Sequence, residues 1–438
     1  MWGLLRIAFR NVFRQKRRSL LTGLMMVGGF TLSCLSIGIS DGSYGHLIDL
    51  FTRNQTGHVQ IHRAGYLDRP SLWATIDDLD TGPAPVLDGE TRVTSWAPRL
   101  KSPALAFRDT KTSGAYIVGV DPVREASTTR LAERVTAGRF FTLQPDSLQP
   151  DLTDDGGRHR TATDAGGSAA DVMASDDHIP VLLDHGLARI LGVGIGDDIV
   201  LIAQGADGSI AHDLFSVTGL VGRAGQAGLG LTCYMPLVAA QDFLALQGRV
   251  HEITLVLDDH RHAESVAHDL ATHLDPQLQV SPWQVVEEEF YRAMLADVEG
   301  MWLSLLVIIL IVAIGVLNTV LMTILERTRE FGVLRALGTR PTALFSLIVL
   351  ETSILAMLSL LPAMLLGTGL NYWLSQAGIM LPEAVEVGGV YFDRMYGEVN
   401  ARSLWLPAAV VLLTAILVSI LPALRAARIV PVEAMRAN

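Results

Sequence analysis

Four long apolar runs dominate the hydrophobic pattern. Leu20–Ile39, Met301–Leu325 and Leu404–Leu424 hold no charged residue over 20, 25 and 21 positions, and Ala343–Leu370 is interrupted by Glu351 and Pro362. A bilayer core takes about 20 apolar residues in helical form. The pattern therefore predicts four transmembrane helices, at 20–40, 301–325, 343–370 and 404–424. Between the first two lies a different pattern, of short apolar runs separated by turn residues: HVQIH (58–62), AYIVGV (115–120), IPVLL (179–183), DIVLIA (198–203), LFSVTGLV (214–221) and ITLVL (253–257). Runs of this length read as strands, while 183–191 and 236–247 read as helices. Residues 144–178 are rich in Asp, Gly, Ser, Thr and Ala and read as a flexible insertion that divides the domain into two lobes, about 41–143 and 179–280. From 283 to 300 a helical pattern runs straight into the second span, as a stalk. The fold class expected is an α-helical membrane protein with four transmembrane helices, and a large mixed α+β domain (41–300) inserted between helices 1 and 2.

Basic residues set the orientation. Segment 1–19 has six Lys/Arg and no acid, the loop 326–342 has Arg327, Arg329, Arg335 and Arg340, and the tail 425–438 has Arg425, Arg428 and Arg436. The loop 371–403 has only Arg394 and Arg402. The positive-inside rule then places both termini and 326–342 in the cytoplasm, with 41–300 and 371–403 on the other side. The first apolar run exceeds the core of a signal peptide and is read as a retained span. Before it, residues 2–18 read as an amphipathic helix: Arg6, Arg10 and Arg14 recur every fourth position beside Leu5, Phe9, Val12 and Phe13. Such a helix suits a lipid surface.

Composition narrows the function. Half of the residues are hydrophobic and 18% are charged, with a mean hydropathy of +0.35. The net charge of −11 argues against a nucleic-acid partner. Two cysteines, Cys34 and Cys233, exclude a disulfide scaffold and a cysteine-rich zinc site. None of the three lysines, Lys16, Lys101 and Lys111, follows a glycine, so the Gly-Lys of a phosphate-binding loop is missing and this chain is not expected to hydrolyse nucleotide itself. GISDG (38–42) has the spacing of a nucleophile elbow, but a membrane span precedes Ser40 where that motif needs a strand. The histidines contain no H-E-x-x-H; His58, His62, His260 and His262 are read as solvated, as are Glu287, Glu288 and Glu289. No catalytic residue and no metal site is expected.

The sharpest signal is ILERTREFGVLRALGTRP (324–341). A helix over 328–337 puts Phe331, Leu334 and Leu337 on one face, with Arg329 and Glu330 flanking it. Gly338 stops the helix and Pro341 restarts the chain. A short amphipathic helix shown between two spans suits a partner's groove.

ERTREFGVLRALGT resembles the coupling segment of the MacB/FtsX/Lol superfamily of ABC transporter permeases, the type VII exporters. The tail SILPALRAARIVPVEAMR (419–436) is similar to that superfamily's closing motif, and IAFRNVFRQKRRSLLT (7–22) to its N-terminal elbow helix. GHVQIHRAGY (57–66) looks like the lipoprotein-releasing Lol branch. The resemblance implies a non-catalytic subunit in the bacterial inner membrane, paired with a second permease and with two copies of a cytoplasmic ABC ATPase. That ATPase, not this chain, binds ATP and Mg. ATP binding would move the coupling helix and hence the periplasmic domain, an action called mechanotransmission. The residues implied to meet the ATPase are Glu326, Arg327, Thr328, Arg329, Glu330, Phe331, Gly332, Leu334, Arg335, Leu337 and Gly338. Release of lipoproteins is the leading expectation; control of a cell-wall hydrolase, as in FtsX-type complexes, and MacB-like toxin or peptide efflux are the alternatives. Within the spans the polar inventory is thin. Asn318 and Glu351 stand out, the latter as an ionisable group expected to find a partner on a neighbouring helix. Gly29 and Ser33 give the first span a small-residue face, and Gly29, Leu32, Ser33 and Ile37 are expected near a cargo cavity.

Overall fold

The computed structural model describes residues 2–14, 16–141, 178–222, 230–387 and 390–429. The expected insertion at 144–178 lies almost wholly outside these residues, as does the end of the tail motif. The chain forms two compact units: Met1–Leu47 with Arg292–Val385 and Phe392–Asn438, and Ile48–Tyr291 with Glu386–Tyr391.

The first unit is helical. After α1 (Trp2–Arg14) come α2 (Lys16–Phe51), then, following the second unit, α9 (Glu288–Glu326), α10 (Thr328–Ala336), α11 (Pro341–Ala377) and α12 (Ala401–Ala427). Four of these, α2, α9, α11 and α12, are long and apolar enough to cross a membrane. Three run well past the apolar limits. At about 1.5 Å per residue, the 36 residues of α2 and the 39 of α9 far exceed a hydrocarbon core of about 30 Å. Polar residues beyond the core do not break a helix; only its lipid-facing chemistry changes there. The stretch 371–403 is not a plain loop: α11 continues to Ala377, and β11 (Ile379–Val387) and β12 (Val390–Met395) make a two-stranded hairpin. Gly378, at φ +65°, turns the chain out of α11.

The helices pack through small residues. A Cβ on Gly29 would stand 2.2 Å from Val312 Cγ2, and one on Gly38 would stand 2.2 Å from Asn371 Nδ2. With lipid as solvent, such close approach supplies the dispersion that holds spans together. Phe30, Cys34, Val316, Phe331, Ile348, Ala415 and Ala423 are among the fully enclosed residues of this core.

The second unit is built on one ten-stranded sheet. Its strands are β1 (Val59–Arg63), β2 (Val93–Arg108), β3 (Lys111–Val120), β4 (Val135–Gly138), β5 (Ile179–Asp184), β6 (Asp198–Gln204), β7 (Ile210–Val221), β8 (Thr232–Pro236), β9 (Glu252–Leu257) and β10 (Leu278–Pro282). The order is β10-β1-β9-β2-β3-β8-β5-β7-β4, with β6 pairing β2 and β7. The helices α3 (Pro83–Gly89), α4 (Pro122–Thr128), α5 (His185–Leu191), α6 (Leu237–Phe243), α7 (Ala263–His273) and α8 (Trp283–Val286) accompany it. This corrects the division into lobes at 144–178. Strands from both sides of that segment alternate along one sheet, and Leu100 and Ile117 share a core with Val181, Leu183 and Phe215. Segment 183–191 likewise divides: Leu183 and Asp184 end β5, and the helix starts at His185.

Candidate functional site

In the helical unit the break between α9 and α10 falls on Arg327, whose backbone leaves the helical region (φ −102°, ψ 13°). The side chain of Arg327 ties the start of α10 to the spans. Its Nε donates to Glu330 Oε2 at 2.9 Å and its Nη1 to Glu351 Oε2 at 3.2 Å, and its guanidinium lies 5.1 Å from the centre of the Phe331 ring. Arg327 and Glu351 are 11% and 19% exposed. Two further arginines arrive from the N-terminal segment. Arg18 makes a two-pronged pair with Glu326, both bonds at 2.6 Å, and Arg14 Nη2 reaches Glu330 Oε1 at 3.1 Å. The hydrogen bond from Arg327, with Arg14 adding to it, holds the Glu330 carboxyl below its usual range. A planar guanidinium suits such forked pairing.

The expected coupling residues thus divide into two sets. Phe331 (1% exposed) and Gly332 are buried, and Leu334 packs against the same core. Thr328 Oγ1 caps back onto Ile324 O at 2.9 Å, and Arg335 Nη1 donates to Thr339 O at 2.9 Å. Arg329 and Glu330 are exposed. Leu337 leaves the face it was expected to share: it is 79% exposed, with Val333 beside it at 45%. The reason is that α10 ends at Ala336 and Gly338 takes φ +91°, so Leu337 falls past the last regular turn. Pro341 opens α11. The result is an ion-paired helix with an exposed apolar residue at its end.

Within the spans, Glu351 has the partner Arg327, whereas Asn318 faces outward from the unit. Of the residues expected near a cavity, Ser33 and Ile37 line a hollow of about 180 Å³ together with Trp302, Leu305, Ile309 and Pro407. Gly29 packs against Val312 instead, and Leu32 is exposed. Sequence reasoning missed Asn371, which lies beyond the apolar limit of the third run. It is buried on α11 and donates to Cys34 O at 3.0 Å. It also missed Arg14 and Arg18 as partners of α9 and α10. Their spacing of four residues is the available signal, and by itself it reads equally well as a lipid-facing stripe.

In the sheet unit the histidine expectation is corrected. His58 and His62 are buried, not solvated. His58 Nδ1 accepts from Leu257 N at 2.9 Å, and burial, with His260 and Arg53 nearby, pushes its pKa down to about 4. Glu287 also departs from the solvated run, because it lines a cavity of about 420 Å³; Glu288 and Glu289 remain exposed. Beneath that cavity Arg99 pairs with Glu125 (Nη2–Oε1 2.6 Å) and Glu252 (Nη1–Oε1 3.4 Å), and Lys101 closes on Glu252 from the other side. Among the described residues no group of three or more His, Cys, Asp or Glu side chains could hold a metal.

The described residues thus hold four helices of membrane-spanning length, an α/β unit inserted in the chain between the first and second of them, and a short helix between the second and third. Residues 302–431 match the family described as FtsX-like permease C-terminal. The chain is 24% identical over 364 residues to the lipoprotein-releasing system transmembrane protein LolC of Xylella fastidiosa strain Temecula1, covering 79% of this chain and 78% of that one. It is also 24% identical over 440 residues to the macrolide export ATP-binding/permease protein MacB 2 of Aeromonas hydrophila, covering 98% of this chain and 60% of that one. The periplasmic region of MacB from Actinobacillus actinomycetemcomitans superposes with a TM-score of 0.32 at 17% identity, over 53% of this chain and 92% of that one. The chain carries an FtsX-like permease domain, and its resemblance to the MacB/FtsX/Lol superfamily of ABC transporter permeases is borne out.

Proposed function

We propose that this chain is the membrane subunit of an ATP-driven machine that releases lipoproteins from the outer leaflet of the bacterial inner membrane. A separate cytoplasmic ATPase, holding ATP and Mg, docks on 326–337 and moves the spans and, through α9, the periplasmic sheet unit. The observation that carries this reading is the build of α10. Phe331 and the Arg327 pairs fix the helix to the spans, while Val333 and Leu337 are left exposed on a helix end flanked by charge. A helix anchored on one side and apolar on the other transmits a push; a lipid-surface helix needs no ionic framework. The basic residues of 1–19 and 326–342 support the cytoplasmic placement of this end. Asn318, outward-facing on α9, supports a second permease against that face, since a lone amide in lipid gains from a partner.

Leu337→Asp is expected to cost the unit less than about 0.5 kcal/mol, as for exposed positions generally. It should reduce co-purification of a cytoplasmic ABC ATPase, identified by mass spectrometry of the detergent pull-down, at least tenfold. Equal recovery of that ATPase with the variant and the parent chain would sink the docking assignment.

The Lol reading rests on the hollow beside Ser33 and Ile37, which is almost wholly apolar and of a size for part of an acyl chain. Ile37→Trp fills it. In proteoliposomes containing both subunits and an acylated protein, the substitution is expected to slow release several-fold while ATP hydrolysis continues. Undiminished release would turn the reading toward a regulatory or efflux role.

A further inference from the structure

The outer faces of α1 carry chemistry that the docking of α10 does not use. At 3.6 residues per turn, Arg6, Arg10 and Arg14 fall on one face, about 100° round the helix from Leu5, Phe9 and Phe13 and opposite Ala8 and Val12. Ala8 and Val12 are buried, and α1 packs on α11. Ser19 Oγ donates to Val12 O at 2.7 Å, which ties the end of α1 to the start of α2. The helix is thus held by one face and shows two others. Leu5, Phe9 and Phe13 are half-exposed, and the ring centres of Phe9 and Phe13 lie 5.0 Å apart. Leu20, Leu21 and Leu24, at the start of the first span, are exposed as well, so exposed apolar residues run along the chain from α1 into that span.

The three arginines are exposed, and residues four apart on a helix are neighbours. A row of guanidiniums beside an apolar stripe matches a leaflet of anionic phospholipid: acyl chains meet the rings, and each guanidinium can grip a phosphate through two N–H bonds. Segment 1–19 holds no acidic residue to oppose that charge. Of the three, Arg14 alone has an acidic partner among the described residues. Its Nη2 reaches Glu330 Oε1 on α10 at 3.1 Å, with the two side chains 67% and 43% exposed. An exposed pair of this kind contributes little, and a basic side chain at an anionic surface gains at least as much. Glu330 keeps a partner without Arg14, because Arg327 Nε donates to its other oxygen at 2.9 Å. Arg14 can therefore pass from Glu330 to a lipid phosphate without stranding a charge.

We propose that the face of Arg6, Arg10 and Arg14 binds the phosphates of anionic phospholipids, which compete with Glu330 for Arg14, so that the charge of the leaflet sets how firmly α1 is clasped to α10. This surface needs the long helices to span a membrane, but neither ATPase docking nor cargo. The full chain, purified in detergent, is equilibrated with equal amounts of palmitoyl-oleoyl phosphatidylglycerol and palmitoyl-oleoyl phosphatidylcholine, and the lipid retained after gel filtration is measured by mass spectrometry. The parent is expected to retain phosphatidylglycerol over phosphatidylcholine by at least about threefold. Arg6→Gln together with Arg10→Gln should bring the ratio near parity, while the thermal midpoint stays within a few degrees of the parent because both side chains are exposed. Glu330→Gln should raise the ratio about twofold in the parent, by releasing Arg14, and leave it unmoved in Arg14→Gln. Millimolar glycerol 3-phosphate, which has the phosphate and no acyl chain, should not displace the retained lipid. Equal retention of the two lipids by the parent, a preference unmoved by the Arg6 and Arg10 substitutions, or displacement by glycerol 3-phosphate would overturn the lipid surface. A Glu330→Gln effect of the same size with and without Arg14 would overturn the competition.

Discussion

Arg327→Ala is expected to destabilise the helical unit by about 3 kcal/mol and, on the proposed function, to leave a partner ATPase unstimulated. Breaking one partner of a mostly buried ion pair costs roughly 3–5 kcal/mol, because the remaining charge keeps its desolvation penalty and loses its compensation. Here the remaining charge is Glu351, 19% exposed and on a helix long and apolar enough to span a membrane. The loss is not confined to one pair, since Arg327 also holds Glu330 and lies over Phe331. The neighbouring Arg14–Glu330 pair, at 67% and 43% exposure, gives the contrast: Arg14→Ala should cost less than about 1 kcal/mol, the range for surface pairs. Thermal unfolding in detergent measures both. The double substitution Arg327→Met with Glu351→Gln separates stability from transmission, because it removes both charges together. It should recover most of the midpoint while the ATPase stays unstimulated by the permease. Full recovery of stimulation would mean that the ionic framework only holds the fold, and that α10 transmits without it.

The parts of this molecule that are legible in the sequence are those that lipid or backbone geometry forces. A span cannot hide its 20 apolar residues, so four helices can be placed at once, and Gly338 and Pro341 mark the ends around α10 because few other residues serve there. The remainder depends on the third dimension. Helix ends in water carry no apolar limit, so the pattern cuts α2 and α11 short and leaves Asn371 outside its span, whereas the helical period over 283–300 does mark the extension of α9. Strand pairing across 142–177 leaves no local trace, so one sheet looks like two lobes. His58 and His62 sit at the edges of an apolar run, where period alone cannot tell a buried imidazole from a wet one. The deciding facts are long-range: Leu257 N for His58, and Glu252, which is 190 residues from His62. Arg99 and Glu125 give no signal for the same reason; neither lies in a motif, and their significance is only that they meet.

That meeting makes Arg99→Ala the second large effect. Arg99, Glu125 and Glu252 are 7%, 1% and 2% exposed, so removing the guanidinium strands the Glu125 carboxylate in the sheet unit and leaves Glu252 with Lys101 and His62. It also frees Gln55 O, which Arg99 Nη1 satisfies. A loss of about 3–5 kcal/mol is a large fraction of the stability of an ordinary domain. The sheet unit should unfold, or be degraded, at temperatures where the parent persists. The effect should depend on pH with a definite sign. Burial alone would raise the Glu252 pKa, but Lys101, His62 and Arg99 together hold it well below the ordinary value. A carboxyl depressed in the folded state binds fewer protons there than in the unfolded chain. Its contribution is therefore complete above the unfolded value near 4.5 and is lost as pH falls through the folded one. His58, lowered to about 4 from 6.5 by burial, acts in the same direction: it favours the folded state above about pH 6.5 and loses that contribution as pH falls toward 4. The parent should thus be steady near neutrality and weaken on acidification. In Arg99→Ala the Glu252 carboxyl loses one of its cations and titrates higher, so the acid limb should begin at higher pH than in the parent. Pairing the substitution with Glu125→Gln removes one stranded charge and should restore part of the midpoint at about pH 7. Midpoints recorded from about pH 4 to 8 decide the matter: parallel curves for parent and Arg99→Ala would mean that the cluster is held by packing and not by its charges.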